Sequence, residues 1–383
     1  MQIRTLANLL GDAEDDFRRA FRDKLRWHRA TATAPAAAMA LLPLLTLDRL
    51  LAGGALPVDQ IRVLVSGAEA MPSLYVDDGG RLRMDALQSF LRQGATLSLT
   101  DLGRVVPAIG ELAAAMERAL GVRCGVNAYV ATGGKAAFRP HHDGHDVLVL
   151  QCQGAKRWFT YGEPFPYPLA GAQIPNVPEA VWDTVMAAGD LLYLPRGHVH
   201  STLPEEAPSV HLSFGFTEAT GVDFLRWLAK GADHDATLRR DLGATLPPGE
   251  RTSRDAALKS ALHALIDVMS VEEFFDDQQS ERELLPLMTV AQNIGPDATS
   301  VLTSALRRAV ALMPDAASEV PVRLGGKNYL LSPLSRELLA LVTSRHRITI
   351  VDLAASVGLT PEDADFESAL KTLLQVALVG LTD

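Results

Sequence analysis

The chain has 383 residues, 48% of them hydrophobic and 21% charged, with a formal net charge of −10. That length predicts two or three domains; the acidic balance excludes a nucleic-acid-binding surface spread over the whole molecule and suits a basic partner. With Cys124 and Cys152 the only cysteines, a disulfide framework and a cysteine zinc site are excluded, and both read as small buried hydrophobes in or beside strands.

In chain order, Met1–Thr5 is followed by Asp12, Glu14, Asp15 and Asp16 before any apolar run, which is not the pattern of a signal peptide. Ala36–Leu45 is apolar but falls short of the ~20 residues that span a bilayer. A cytoplasmic protein with no membrane partner is therefore expected. The segment Phe17–Trp27 predicts an amphipathic helix with Phe17, Phe21 and Leu25 on one stripe. Ile61–Ser66 and Thr96–Leu99 read as strands and Arg83–Arg92 as a helix. Val105–Leu120 is a further amphipathic helix that Gly121 stops.

From Arg123 to Phe216 the pattern changes to short strands between glycine and proline turns: Val122–Ala131, Val147–Gln151, Arg157–Tyr161, Asp190–Leu194 and Val210–Phe216. Their close spacing favours a barrel or sandwich. Gln153-Gly154-Ala155 reads as the turn of a short hairpin between the second and third. Beyond Gly221, helices are predicted at Asp223–Lys230, Arg254–Val268, Val271–Asp277 and Ala298–Leu312. Ser335–Thr343, Ile348–Thr349, Val351–Val357, Pro361–Gln375 and Leu378–Leu381 then give the helix, strand, helix, helix, strand order of a winged helix.

Two segments carry the chemistry: Arg139-Pro140-His141-His142-Asp143, and Gly189 to His200, which spells G-x5-P-x-G-x2-H without a gap. Residues i and i+2 of a strand share a face, so His141 and Asp143 can converge on one ion, with His200 arriving from a partner strand. Two imidazoles and a carboxylate on one face of a metal leave the other face open, the arrangement of non-haem Fe(II) oxygenases; catalytic zinc uses the same donors. A metal-free polar turn would explain the first segment but not the second. His142, His145 and His198 are packing or substrate-facing candidates, and His211 reads as a hydrogen-bonded barrel histidine. Lys156 shares a face with Trp158. An inward lysine is costly unless it meets an anion, which a dicarboxylate cosubstrate would supply; the competing reading is an exposed lysine at a hairpin mouth.

Asn127-Ala128-Tyr129, Pro140 to Asp143, Asp146 to Gln151, Gly154 to Trp158 and Gly189 to His200 together resemble the JmjC/cupin-type ribosomal oxygenases, which include bacterial ribosomal-protein arginine hydroxylases and eukaryotic ribosomal histidine hydroxylases. The resemblance implies an α+β chain. Residues 1–220 would form a JmjC-type double-stranded β-helix (cupin, jelly-roll) catalytic domain with flanking helices and a barrel core at about 122–217. Residues 221–315 would be a helical dimerisation domain, and 316–383 a winged-helix-like domain. It implies Fe(II) on His141, Asp143 and His200, the far carboxylate of 2-oxoglutarate on Lys156, Asn127 and Tyr129 lining the cosubstrate pocket, and O2 as co-reactant. His142 stands where an aromatic is usual, His198-Val199 replaces a bulky pair, and Gln151-Cys152-Gln153-Gly154 departs from Gln-x-Glu-Gly.

The function expected is hydroxylation of a protein or peptide side chain, with a basic ribosomal protein as the family's substrate class and a homodimer as the assembly. Direct DNA binding is not expected, because Glu362, Asp363, Asp365 and Glu367 crowd the presumptive recognition helix. The alternatives are a tailoring hydroxylase of a small peptide natural product, a metal cupin that uses no 2-oxoglutarate, and a binding module that has lost turnover.

Overall fold

The computed structural model describes residues 3–133, 136–169, 174, 176–177, 179–287, 296–308, 312 and 318–382. The chain divides into two compact units, Met1–Glu218 and Ala219–Asp383.

The first unit has six helices among the described residues: α1 (Leu6–Leu10), α2 (Glu14–Asp23), α3 (Pro35–Met39), α4 (Leu44–Ala52), α5 (Met84–Arg92) and α6 (Pro107–Leu120). Its strands are β1 (Trp27–Arg29), β2 (Ile61–Val65), β3 (Ala68–Glu69), β4 (Thr96–Leu99), β5 (Arg123–Ala131), β6 (Asp146–Tyr161), β7 (Ala180–Met186), β8 (Leu191–Leu194) and β9 (Val199–Thr217). They form one antiparallel sheet in the order β1-β8-β6-β9-β5-β4-β2-β3, with β7 on the second half of β6, a cupin-type fold. Alternation splits each strand between two faces. Leu148, Leu150, Leu212 and Phe214 join the main core, while Val147, Val149, Trp158, Met186, Leu192 and Leu194 form a smaller cluster on the other side.

α2 docks through Phe17 and Phe21, whose rings lie 5.6 and 5.7 Å from Tyr193, with Phe21 5.5 Å from Phe216. Burying each such side chain is worth roughly 1.5–3 kcal/mol. The expected third member of the stripe, Leu25, does not join them and is 57% exposed. Lys24 takes a left-handed conformation and ends the helix, and its ammonium reaches Asp146 at 2.7 Å and Glu218. Residues Pro35–Ala52 are long and apolar enough to cross a membrane. Pro43 breaks this stretch into α3 and α4, and Ala38, Leu41, Leu42, Leu47 and Leu51 are buried in the main core.

The hairpin expected at Gln153-Gly154-Ala155 is absent. Val147–Tyr161 belongs to one continuous 16-residue strand, β6, which pairs along its whole length with the 19-residue β9. The register slips between Gln151 and Gln153, between Gln153 and Ala155, and between Ala155 and Lys156. Gly154 marks a bulge because its φ is +59° and a Cβ there would lie 2.5 and 2.6 Å from the carbonyl oxygens of Pro208 and Glu206. The bulge also reverses face parity: Val147 before it and Lys156 and Trp158 after it line the same cavity. β9 makes the matching change, with His200 and Thr202 below and His211 and Ser213 above.

The second unit contains α7 (Gly221–Ala232), α8 (Pro248–Val268), α9 (Val271–Ser280), α10 (Pro333–Arg345), α11 (Ile350–Ser356) and α12 (Ala364–Gln375). Capping boxes at Thr220/Asp223 and Ser270/Glu273 start α7 and α9. Phe274 fills the space between Phe224 and Trp227, and the Trp227 indole donates to Asp277 at 2.9 Å. The helix expected over Ala298–Leu312 is instead β10 (Val301–Ser304) in its described part; residues 309–311 lie outside the described residues. Leu302 and Ser304 are buried at period two, because β10 joins β13 (Ile348–Thr349) to β14 (Val379–Thr382). A hairpin of β11 (Val320–Leu324) and β12 (Lys327–Leu331) precedes α10.

Candidate metal centre

His141 and Asp143 do not stand on a regular strand. His141 forms an isolated bridge with His200, its N–H donating to the His200 carbonyl at 3.0 Å and receiving one back at 2.8 Å. Gly197 N–H donates to the Asp143 carbonyl at 2.9 Å. The two motif segments are thus tied by main-chain hydrogen bonds, and this pairing, not strand alternation, makes the side chains converge. One donor atom from each of His141, Asp143 and His200 lies within 4.8 Å of the others. His200 Nε2 stands 3.8 Å from Asp143 Oδ2.

The tautomers suit a cation. Nδ1 of His141 donates to the Arg139 carbonyl at 2.9 Å, and Nδ1 of His200 to the His198 carbonyl at 3.0 Å. Each bond leaves Nε2 as the lone-pair donor and orients the ring. Burial first, and then the neighbouring His141, push the His200 imidazole well below its ordinary range, so it is neutral as metal binding requires. Two imidazoles and a carboxylate on one side fit a cation with open positions.

The centre opens on a cavity of about 210 Å³ lined also by Tyr129, Phe138, Lys156, Trp158 and His211. Lys156 is 2% exposed, so it is no hairpin-mouth lysine. Burial pulls its ammonium down to about 7. Its Nζ lies 3.1 Å from Nδ1 of His211, which stacks on Tyr129 with centroids 4.9 Å apart. Trp158 stacks against His200, and its buried indole nitrogen has no hydrogen-bond partner among the described residues, leaving a donor for a bound molecule. Burial and then the Asp143 charge raise the Tyr129 phenol. Asn127 stands behind Tyr129: its side chain hydrogen-bonds the phenol and accepts from Asp101 N–H at 3.2 Å, and it is not among the cavity-lining residues.

The other histidines lie elsewhere. His142 packs against Phe165 at 5.8 Å, and His145 covers Gly215. His198 is buried near Arg26 and held below its ordinary range by burial and that cation. His211 is the hydrogen-bonded barrel histidine that the sequence suggests, and it also lines the cavity, which the sequence reading missed. The signal was available, because alternation through Val210-His211-Leu212-Ser213 puts His211 opposite the core-facing Leu212. Asp146 was also missed as a clamp: its carboxylate accepts from Arg196 N–H at 2.9 Å and from Lys24 at 2.7 Å, joining the first motif to the second.

Residues 101–224 match the family model described as JmjC domain. That match covers about a third of the chain, the stretch that carries both motif segments. The chain resembles the bifunctional lysine-specific demethylase and histidyl-hydroxylase NO66 of Drosophila sechellia, with 28% identity over 176 residues covering 43% of this chain and 27% of that protein. Ribosomal oxygenase 1 of Gallus gallus is 30% identical over 162 residues, covering 40% of this chain and 27% of that one. The chain therefore spans only about a quarter of the length of these curated relatives. Over 98% of this chain and 99% of the other, the protein shares its fold with YcfD, a ribosomal oxygenase of Escherichia coli, solved with cobalt and succinic acid, at a TM-score of 0.59 and 16% identity. The YcfD complex with cobalt and 2-oxoglutarate gives a TM-score of 0.58.

Proposed function

We propose that the chain is an Fe(II)- and 2-oxoglutarate-dependent oxygenase that hydroxylates a side chain of a basic ribosomal protein. The observation that carries this reading is a single cavity lined both by the three metal-donor side chains and by a buried lysine ammonium. His141, Asp143 and His200 would hold the iron, and Lys156 the far carboxylate of the cosubstrate. When bound, iron and 2-oxoglutarate supply the oxidation of an unactivated C–H bond by O2. The protein's part is positional. His200 stays neutral, Lys156 supplies a charge at a buried position, and Trp158, Phe138 and Tyr129 line the cavity. The YcfD complexes with cobalt and succinic acid or 2-oxoglutarate support the cosubstrate, and the ribosomal oxygenases among the relatives support the substrate class. The net charge of −10 favours a basic client.

The order of α10, β13, α11, α12 and β14 supports a winged-helix reading of residues 333–382. Exposed Glu362, Asp365 and Glu367 at α12 weigh against contact with phosphates. The α7–α9 region supports a dimerisation role, since α8 buries none of its own residues. The expected compartment is the cytoplasm, where ribosomal clients are made.

Anaerobic Fe(II) titrated with 2-oxoglutarate should develop a weak visible charge-transfer band. Ribosomal proteins from cells with and without the gene should differ by one oxygen in intact mass. No band and no uncoupled succinate formation would remove the cosubstrate from the reading; a band without any mass difference would remove the ribosomal client.

A further inference from the structure

Lys156 is 2% exposed and His211 5%, and Lys156 Nζ lies 3.1 Å from His211 Nδ1. A lysine stem has four rotatable bonds, so burial alone does not aim its head group. His211 does: it is fixed by stacking on Tyr129 and by edge contact with Trp158, whose centroid lies 5.5 Å away. When Lys156 is charged its ammonium can only donate, so His211 Nδ1 accepts, the ring's hydrogen is on Nε2 and the imidazole is neutral. Burial and the Lys156 charge both hold it there.

We propose that His211 is a positioning residue, acting through Lys156, that makes the cavity select a dicarboxylate over a 2-oxo monocarboxylate of the same length. This rests on the proposed cosubstrate. His211 contributes an acceptor that keeps the ammonium in the cavity before any anion arrives, which lowers the ordering cost of binding. The other charged or titratable groups lining the cavity are His141, Asp143, His200, Tyr129 and Arg62. Arg62 on β2 is already paired with Glu69. Lys156 is thus the buried cation left for a far carboxylate among the described residues.

A second consequence follows from the same pair. An arriving carboxylate favours the charged form of Lys156, which burial alone holds near 7, so dicarboxylate binding above neutral pH should take up protons.

The test uses full-length protein loaded with Mn(II) under anaerobic conditions, with calorimetric binding of 2-oxoglutarate and of 2-oxopentanoate, in which a methyl replaces the far carboxylate. Titrations in two buffers of different ionisation enthalpy give the proton count. His211→Leu should lose at least ~10-fold of the dicarboxylate preference, the loss expected for one hydrogen bond to a charged group, while 2-oxopentanoate affinity stays within about threefold. His211→Asn, which restores a side-chain acceptor, should recover most of the preference. An unchanged ratio in His211→Leu, or equal losses for both ligands, overturns the role of His211 and leaves the proposed function standing. Wild-type protein that binds neither ligand overturns both.

Discussion

Lys156 is the residue at which stability and function oppose each other. Burial lowers its folded-state pKa to about 7, against 10.5 for the free group. Between these values the unfolded chain binds more protons than the folded one, so stability rises with pH across that window and is lost as pH falls toward 7. Lys156→Met keeps the volume and removes the charge. In the absence of cosubstrate it should raise the melting temperature at pH 7 by a few degrees, with the gain shrinking toward pH 9. The same variant should weaken 2-oxoglutarate binding by at least ~100-fold, since losing one partner of a buried ion pair costs about 3–5 kcal/mol. Metal content should not change. Differential scanning at pH 7 and 9, with calorimetry, measures both effects; a melting temperature lowered at pH 7 would contradict the desolvation account.

At the scale of elements, β6 and β9 form a long ribbon whose middle is bulged, and the bulge decides which residues line the cavity. Gly154→Ala adds a Cβ against two carbonyl oxygens at a left-handed position, and left-handed strain alone costs roughly 1–2 kcal/mol. A drop in melting temperature of at least ~4 °C is expected, together with weaker dicarboxylate binding because Lys156 follows two residues later. A variant as stable as wild type would mean that the strands can shed the bulge. The second device is Asp146, which holds Lys24 and the Arg196 amide. Asp146→Ala frees the Arg196 segment that leads into His200, so cobalt(II) affinity should fall, with the fold retained by circular dichroism. Affinity equal to wild type would reduce Asp146 to a packing role.

For the whole molecule, the assembly is the open quantity. α8 exposes Leu262 and Ile266, 40% and 49% accessible, and buries no residue of its own. Leu262 and Ile266 lie one turn apart, so they offer a short apolar strip that a second copy could cover. Light scattering should give twice the chain mass, and Ile266→Asp should give monomers that still bind metal. A wild-type monomer across micromolar concentrations would transfer the role of α8 to another partner.

The sequence by itself pointed to the donor set of the candidate centre, because metal ligation depends on residue types and His141, Asp143 and His200 come with a contiguous motif. It also determined most helices: α5, α6 and α10 carry a 3.6-residue period that local physics alone can express, and Gly121 ends α6 as expected. Tertiary structure decided what depends on a partner strand. A glycine after a strand reads as a turn or as a bulge, and only the continuation of β9 opposite Gly154 makes it a bulge. β10 is a strand because β13 and β14 flank it, an arrangement no local period encodes. The pairing of His141 with His200, the burial of Lys156 and its contact with His211 arise the same way, from chain segments far apart in sequence that the sheet brings within hydrogen-bonding distance.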